Sequence, residues 1–208
     1  MDLPSVDHVL TTTRSVRKRL DLTRPVDPKI VQDCIDIAVQ APNGGNLGRY
    51  HFVVVADAAK RTRIGELYAK ACAEFLLPGR TAYSPGVFAS ATYLAEHLHE
   101  VPLHVIPCMD GRVEDKGPFR QATRYGSILP AAWSLMLALR ARGLGSAWTT
   151  LHLMYEKEVA QLLGIPADVT QAALLPVAYF TGDDFKPASR VPGRECTYWD
   201  AWGRTRPR

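Results

Sequence analysis

Residues 128–142, ILPAAWSLMLALRAR, carry apolar side chains on nearly every side of a helix. A helix that is apolar all round is buried instead of lying at a surface. We therefore predict that this stretch is the central core helix, ended by Gly143 and Gly145. Its apolar run, 128–139, has about half the length that a bilayer requires, so no membrane span is expected. Side chains assigned to the core are Trp133, Met136 and Leu137.

Other helices are predicted on both sides of this stretch from caps and from apolar residues spaced three and four apart. Asp27-Pro28 is typical of an N-cap with proline at the first helical position, and it leads into residues 29–41. Asp57 is the predicted cap of a helix that reaches about Ala73. Shorter helices are predicted at residues 5–12 and 156–163.

Short runs of β-branched and other apolar side chains predict three buried strands. These strands are 51–56 (HFVVVA), 101–109 (VPLHVIPCM) and 172–180 (AALLPVAYF). The segments without periodicity are predicted to be a loop or lid at 77–88, a polar loop to about residue 123 and an irregular tail at 181–200. Because no repeat or flexible linker divides the chain, we predict a single domain over residues 1–208 in which helices dominate.

The charge distribution argues against a nucleic-acid-binding protein. The 25 Lys and Arg side chains are nearly balanced by 21 Asp and Glu spread along the chain, which leaves a formal net charge of +4. The four cysteines stand far apart without a CxxC pair, and the N-terminus lacks a secretory pattern, so we expect a cytoplasmic protein. Two local basic clusters still suit a phosphate, namely Arg14, Arg17, Lys18 and Arg19, and Arg204, Arg206 and Arg208.

Metal-dependent and covalent catalysis are both disfavoured by the spacing of the candidate side chains. His97 and His99 are two residues apart, so on a helix they point in different directions, and no third ligand follows nearby. Ser127 and Ser134 lack the GxSxG nucleophile elbow, and no histidine stands at a spacing from Cys108 that is typical of a Cys–His catalytic pair. We therefore expect neither a metal site nor a catalytic nucleophile.

Three segments carry groups that suit a flat, anionic ligand. Residues 13–17 (TRSVR) place two guanidinium groups and a hydroxyl close together, which suits a phosphate or a carboxylate. Residues 41–46 (APNGGN) break a helix with small residues that let the backbone approach a ligand. Arg190 is an isolated cation in the Pro-flanked stretch 187–192. Taken singly, each segment also has an ordinary structural explanation. Residues 13–17 could be a solvated arginine face, 41–46 a helix-to-strand turn, and Arg190 a surface arginine.

In this order and at this spacing, the three segments resemble the nitroreductase family of FMN proteins over essentially the whole chain. The resemblance implies that 13–17 and Arg190 bind the flavin phosphate and that 42–46 packs on the flavin from the second subunit. Thr13 replaces the first arginine of the family pattern, and 48–50 (GRY) replaces its Gln-Pro-Trp continuation. Residues 143–151 resemble the stretch whose backbone amides approach flavin N5; this GxG follows a helix and is not a dinucleotide fingerprint.

The site residues follow from this resemblance. The predicted cofactor-binding residues are Arg14, Ser15, Arg17, Pro42, Asn43, Gly44, Gly45, Asn46, Thr149, Thr150, Leu151 and Arg190. The variable segments 77–88 and 112–125 are expected to cover the ring, where aromatic side chains can stack on a substrate and a cation can receive an anionic group. The predicted substrate-pocket residues are Tyr83, Phe88, Phe119, Arg124 and Tyr125.

The resemblance also implies a fold and an activity. The expected class is α+β, a three-layer α/β/α fold around a central, mostly antiparallel sheet, assembled as an intertwined homodimer. The expected activity is FMN-dependent transfer of hydride from NAD(P)H to a small acceptor, such as a nitroaromatic compound, a quinone or a flavin, in a ping-pong reaction through flavin N5. Alternatives are a different flavin reaction on the same fold, such as reductive dehalogenation or flavin degradation, and a flavin-binding protein without turnover.

Overall fold

The computed structural model describes residues 2–206. The chain divides into two compact units, of which the larger is Thr13–Asp183 and the smaller joins residues 2–12 to 184–206. The helices are α1 (Leu3–Thr12), α2 (Pro28–Ala38), α3 (Ala58–Ala71), α4 (Pro85–His97), α5 (Pro118–Arg140) and α6 (Glu156–Leu163). The strands are β1 (Tyr50–Val55), β2 (Leu103–Asp110), β3 (Leu144–Ser146), β4 (Val169–Gln171) and β5 (Leu175–Tyr179).

The larger unit is built on an antiparallel sheet in the order β1-β2-β5-β3, with β4 paired to one end of β2. Strand β2 is buried on both faces, because Leu103 and Val105 pack with α2 and α5 while Ile106 and Cys108 pack with α3 and α4. Side chains alternate between the two faces of a strand, so the sheet is covered by helices on both sides. The predicted α+β class with a mostly antiparallel central sheet in three layers is confirmed.

The predicted caps form as their chemistry requires. The Asp27 carboxylate accepts a hydrogen bond from the Lys29 amide at 2.9 Å, and Pro28 occupies the first turn of α2. The Asp57 carboxylate accepts from the Lys60 amide at 2.8 Å and starts α3. The predictions of α1, α2, α3 and α6 are therefore confirmed, with a π-helical turn at Cys72–Leu76 extending α3.

The core helix is longer than its apolar stretch. Helix α5 starts at Pro118, so the predicted polar loop to about residue 123 is wrong in its last part. The first turns of α5 are polar and solvent-facing, with Phe119 82% exposed, and they show none of the apolar periodicity that sequence reasoning uses. Within the apolar part Met136 is buried as predicted, but Trp133 is 38% exposed and Leu137 is half-buried, so both fail as core predictions.

The other errors concern edges and short elements. Strand β1 lies at the edge of the sheet and is largely half-exposed, whereas 51–56 was expected to be fully buried. The predicted loop 77–88 ends at Ser84, where α4 begins with Pro85 at its first turn. The predicted strand 172–180 is shorter in the structure, where β5 is Leu175–Tyr179, and the separate short strand β4 before it was not predicted. These boundaries depend on hydrogen bonds between strands that are distant in the sequence, so the composition of one segment does not predict them.

The smaller unit contains α1 and the C-terminal tail. The His8 ring and the Asp184 carboxylate lie 2.6 Å apart, and Tyr198 packs on Trp202 with ring centroids 4.8 Å apart. The tail is irregular apart from a 3-10 turn at Gly193–Cys196, as predicted. Of the C-terminal basic cluster, Arg208 lies outside the described residues. Within the part of the chain that the structure describes, no helix is both long and apolar enough to cross a membrane.

Candidate cofactor site

The N-terminal motif lies against the segment that follows the core helix. The Val16 amide donates to the Ser146 carbonyl at 2.8 Å, and the Trp148 amide donates to the Ser15 hydroxyl at 2.9 Å. A Cβ atom on Gly145 would lie 3.1 Å from the Cβ of Val16, so this close approach needs a glycine. The structure thus joins residues 15–16 to residues 145–148, directly before the 149–151 segment, although the two stretches stand far apart in the sequence.

Residues 149–151 are held rigidly from the core side. Thr149 exchanges two backbone hydrogen bonds with Leu174, at 3.1 and 2.8 Å, and its hydroxyl shares a 2.7 Å hydrogen bond with the buried Tyr68 hydroxyl. The backbone amides of Thr150 and Leu151 donate to no protein group within residues 2–206. Thr150 is exposed and Leu151 is half-buried, and neither N–H group has a protein acceptor among the described residues. They are the donors that the resemblance assigns to flavin N5.

Arg17 supplies a positive charge without a counter-ion. Its side chain is half-buried, burial lowers the pKa of its guanidinium, and the Tyr68 hydroxyl acts in the opposite direction. In the described part of the chain no carboxylate forms an ion pair with Arg17. A partly desolvated cation without a partner is unfavourable until an anion binds. With Arg14 also half-buried in the same short segment, the two guanidinium groups fit a phosphate.

The glycine loop at 42–46 packs elsewhere in the unit, on the first half of α5. The Gly44 amide donates to the Ser127 hydroxyl at 2.9 Å, and the Asn43 side-chain oxygen accepts from the Gly48 amide at 2.9 Å. Asn46 has a φ of 54°, which is uncommon for a residue with a side chain. Among residues 2–206 no hydrogen bond joins this loop to 13–17 or to 149–151.

Gly44 is required by packing, which gives a direct test of the loop conformation. A Cβ atom at this position would lie 2.7 Å from Thr123 Cγ2 and 3.3 Å from Ser127 Oγ. Gly44→Ala is therefore expected to lower the free energy of unfolding by about 1 to 3 kcal/mol in urea denaturation, as overpacking generally does. Gly126→Ala is the matched control, because Gly126 lies on α5 between Thr123 and Ser127 and has open space around it. That control should gain about 0.5 to 1 kcal/mol; equal effects of the two substitutions would contradict the packing.

The predicted substrate-pocket residues fall into two groups. Tyr83 and Phe88 pack on the same hydrophobic cluster as Leu151, which links the 77–88 segment to the amides described above. On α5, Phe119 points into solvent and Tyr125 packs on another cluster. The Arg124 guanidinium lies beside Gly111, and Arg124 lines a cavity together with Asn43 and Gly44 of the 42–46 loop.

Arg190 lies in the smaller unit and is exposed, with its guanidinium donating to the Ser189 carbonyl at 3.3 Å. Its assignment to the flavin phosphate stays a prediction. The roles of the other cofactor and substrate residues likewise stay predictions. The described residues contain no group of three or more His, Cys, Asp and Glu side chains placed to hold a metal ion.

Sequence reasoning missed the polar residues inside the core next to this site. His104 is fully buried and its Nε2 donates to the Leu98 carbonyl at 2.9 Å, while burial lowers its pKa to about 4. His152 follows Leu151 directly, is fully buried, and has its pKa lowered to about 3 by burial and by His104. A histidine in the apolar strand LHVIPC was a visible signal for His104. Nothing local in the sequence marked His152 or Tyr68.

Comparison with known proteins agrees with this architecture. The model of the nitroreductase family matches residues 10–179. A 5,6-dimethylbenzimidazole synthase of Rhodospirillum rubrum is 30% identical over 161 residues, which are 74% of this chain and 73% of that protein.

Two solved structures show the same fold at low sequence identity. One is the FMN and NADPH-dependent nitroreductase NfnB of Sphigopyxis sp. strain HMH (mutant Y88F), which superposes with a TM-score of 0.70 at 22% identity. The aligned region covers 94% of this chain and 99% of the NfnB chain. Iodotyrosine deiodinase bound to FMN and 3-iodo-L-tyrosine has a TM-score of 0.67 at 21% identity, with coverage of 88% and 92%. Because the family model spans most of the chain and the fold agrees, this protein belongs to the nitroreductase family.

Proposed function

We propose that this protein is an FMN-dependent oxidoreductase that transfers hydride from NAD(P)H to a small oxidised acceptor. The observation that supports it most is that Val16 and Ser15 hydrogen-bond to Ser146 and Trp148. This ties the half-buried Arg17, which has no counter-ion among residues 2–206, to the strand end that leads into the unpaired amides of Thr150 and Leu151. One end of this cluster suits a phosphate, and the other suits a hydrogen-bond acceptor on a flat ring. FMN combines these two features in one molecule.

When bound, FMN supplies the redox chemistry, taking up and passing on hydride at N5. The chain's own residues bind and orient it. Arg14 and Arg17 neutralise the phosphate, and the Thr150 and Leu151 amides donate toward the ring position where the reaction occurs. Tyr68 fixes Thr149 from the core side, so these amides are held in place before the ligand arrives.

The homodimer belongs to this proposal. Among residues 2–206 no hydrogen bond joins the 42–46 loop to residues 13–17 or 149–151, which supports a role for this loop at the flavin of a neighbouring subunit. The apolar surface left on α5 at Trp133 is consistent with an interface. Light scattering should give the mass of a dimer, and a monomer that retains flavin would contradict this arrangement.

Release of the cofactor from denatured protein tests whether it is FMN. Acid-denatured protein should yield one non-covalent FMN per subunit, identified by chromatography and mass. Recovery of FAD, or no flavin binding after reconstitution, would contradict the proposal. No segment of the chain offers a dinucleotide fingerprint, which is why FMN is expected in preference to FAD.

A second candidate function is favoured by one comparison. The relative at 30% identity is a 5,6-dimethylbenzimidazole synthase, whose product contains the dimethyl-substituted benzene ring that is also part of a flavin. A flavin-consuming reaction would use the same cofactor residues. Product analysis after aerobic incubation with FMN and NADPH separates the two activities, since acceptor reduction regenerates the flavin and flavin breakdown depletes it.

A further inference from the structure

A small cavity of about 160 Å³ lies between the 42–50 segment and the first half of α5. Its wall includes Asn43 and Gly44 from the glycine loop, and Thr123 and Ser127 from the helix. Two arginines line it as well, the exposed Arg49 and the half-buried Arg124. A ligand in this cavity would therefore touch the same loop that the proposed function assigns to the flavin of a neighbouring subunit.

Neither arginine is neutralised by an acid. Across residues 2–206, no side-chain hydrogen bond or ion pair involves Arg49 or Arg124. Two acids at the end of β2 and just after it have other partners, because Asp110 pairs with His51 at 2.8 Å and Glu114 pairs with Arg112. Arg124 is half-buried, with its guanidinium 3.6 Å from the Cβ position of Gly111. Two cations that face one cavity repel each other, and a bound anion would remove that repulsion.

The neutral polar groups of the wall are already used within the protein. The Gly44 amide donates to the Ser127 hydroxyl, which donates in turn to the Thr123 carbonyl at 2.8 Å. The Thr123 hydroxyl donates to the Phe119 carbonyl at 2.9 Å. The guanidinium groups are thus the main donors left for a ligand, and their planar fork matches a carboxylate or a phosphate.

The size of the cavity limits what can enter. Pockets that enclose a whole small molecule usually measure roughly 300 to 1,000 Å³, so about 160 Å³ holds a charged substituent and not a complete aromatic substrate. The rest of the molecule would extend along the glycine loop. The cavity is therefore suited to anchoring one end of a larger ligand.

We propose that Arg49 and Arg124 form a specificity site for an anionic oxygen group on one of the two substrates. The group is a carboxylate on the acceptor or the 2′-phosphate of NADPH, which share the same chemistry. This inference rests on the proposed function for the reaction itself, but the anion site is a property of the folded chain. Arg49 and Arg124 select the substrate and take no part in hydride transfer.

The test compares charged and neutral partners in wild type, Arg49→Gln and Arg124→Gln. Arg120→Gln is the matched control, since Arg120 is an exposed arginine on the same helix that does not line the cavity. The first arm measures kcat/KM for 4-nitrobenzoate and for the neutral 4-nitrobenzamide with NADH as the donor. The second arm compares NADPH with NADH, using 4-nitrobenzamide as the acceptor. Circular dichroism establishes that each variant is folded.

Loss of one charged contact is expected to lower kcat/KM for the charged partner by about 10- to 100-fold and to leave the neutral partner unchanged. A loss confined to 4-nitrobenzoate identifies an acceptor carboxylate as the ligand, and a loss confined to NADPH identifies the nucleotide phosphate. Equal changes for charged and neutral partners, no change, or the same loss in Arg120→Gln would overturn the proposal.

Calorimetry separates this inference from the proposed function. In the purified protein as isolated, either 4-nitrobenzoate should bind at least 10-fold more tightly than 4-nitrobenzamide or NADP+ at least 10-fold more tightly than NAD+, and Arg124→Gln should abolish this preference for the anion. The absorbance spectrum of the same sample reports the flavin. Protein that lacks flavin but still prefers the anion would contradict the proposed function and leave the anion site intact. Flavin-loaded protein without this preference would contradict the anion site and leave the proposed function intact.

Discussion

Arg17→Ala is expected to weaken FMN binding by about one to two powers of ten, which corresponds to roughly 1.5 to 3 kcal/mol for a charge-assisted contact. The reason is that Arg17 is half-buried and has no counter-ion among the described residues, so its charge is available to a ligand. Fluorescence titration of the apoprotein with FMN measures the change. Because the phosphate lies far from flavin N5, the rate of flavin reduction in the FMN-saturated variant should stay near that of wild type.

Lys18→Ala is the control for a general loss of positive charge, because Lys18 is the exposed neighbour of Arg17. It should bind FMN as wild type does. If Arg17→Ala keeps full FMN affinity but loses NAD(P)H oxidation, Arg17 belongs to the substrate pocket instead of the phosphate site. A changed midpoint potential of the bound flavin would place the guanidinium beside the ring.

The stability of the fold is expected to fall steeply as the solution is acidified from about pH 6.5 toward pH 4. His104 is buried and neutral, with a pKa of about 4 in the folded chain against 6.5 for an ordinary histidine. Between these values the unfolded chain binds a proton that the folded chain does not, so acid favours unfolding. The shift corresponds to about 3 kcal/mol for His104. His152, with a pKa of about 3, acts in the same direction.

Urea denaturation at several pH values measures this dependence. His152→Met should flatten it, because neither ring nitrogen of His152 has a hydrogen-bond partner within the described residues and an apolar side chain loses nothing there. His99→Gln is the control, since His99 is exposed and its removal should leave the slope as it was. An unchanged pH dependence in His152→Met would show that the buried imidazole is not responsible.

The parts of the fold that could be predicted are those with a local physical cause. Asp27 and Asp57 cap helices through their own side chains, and the apolar stretch 128–139 packs where its composition requires. The first turns of α5 were missed because they are polar and solvent-facing. The exposure of β1 depends on its place at the sheet edge, which is set by pairing with β2 and not by its own residues.

The candidate site was predictable only as far as the resemblance reached. It pointed to residues 13–17 and to residues 143–151, and the structure shows these two segments joined through Ser15 and Trp148. It gave no indication of Tyr68 or His152, because their contacts come from segments far away in the sequence. Arg49 departs from the family pattern, and its partner Arg124 becomes apparent only once the glycine loop is seen to pack on α5.

The central claim is tested most directly by the visible spectrum of the purified protein under anaerobic conditions. We expect a yellow protein with the visible absorbance band of an oxidised flavin, because the cofactor carries the chemistry. Addition of NADH or NADPH should bleach this band within seconds, and a nitroaromatic or quinone acceptor should restore it. A flavin band that neither nucleotide bleaches would contradict the assignment as an NAD(P)H oxidoreductase and leave a flavin-binding protein without turnover.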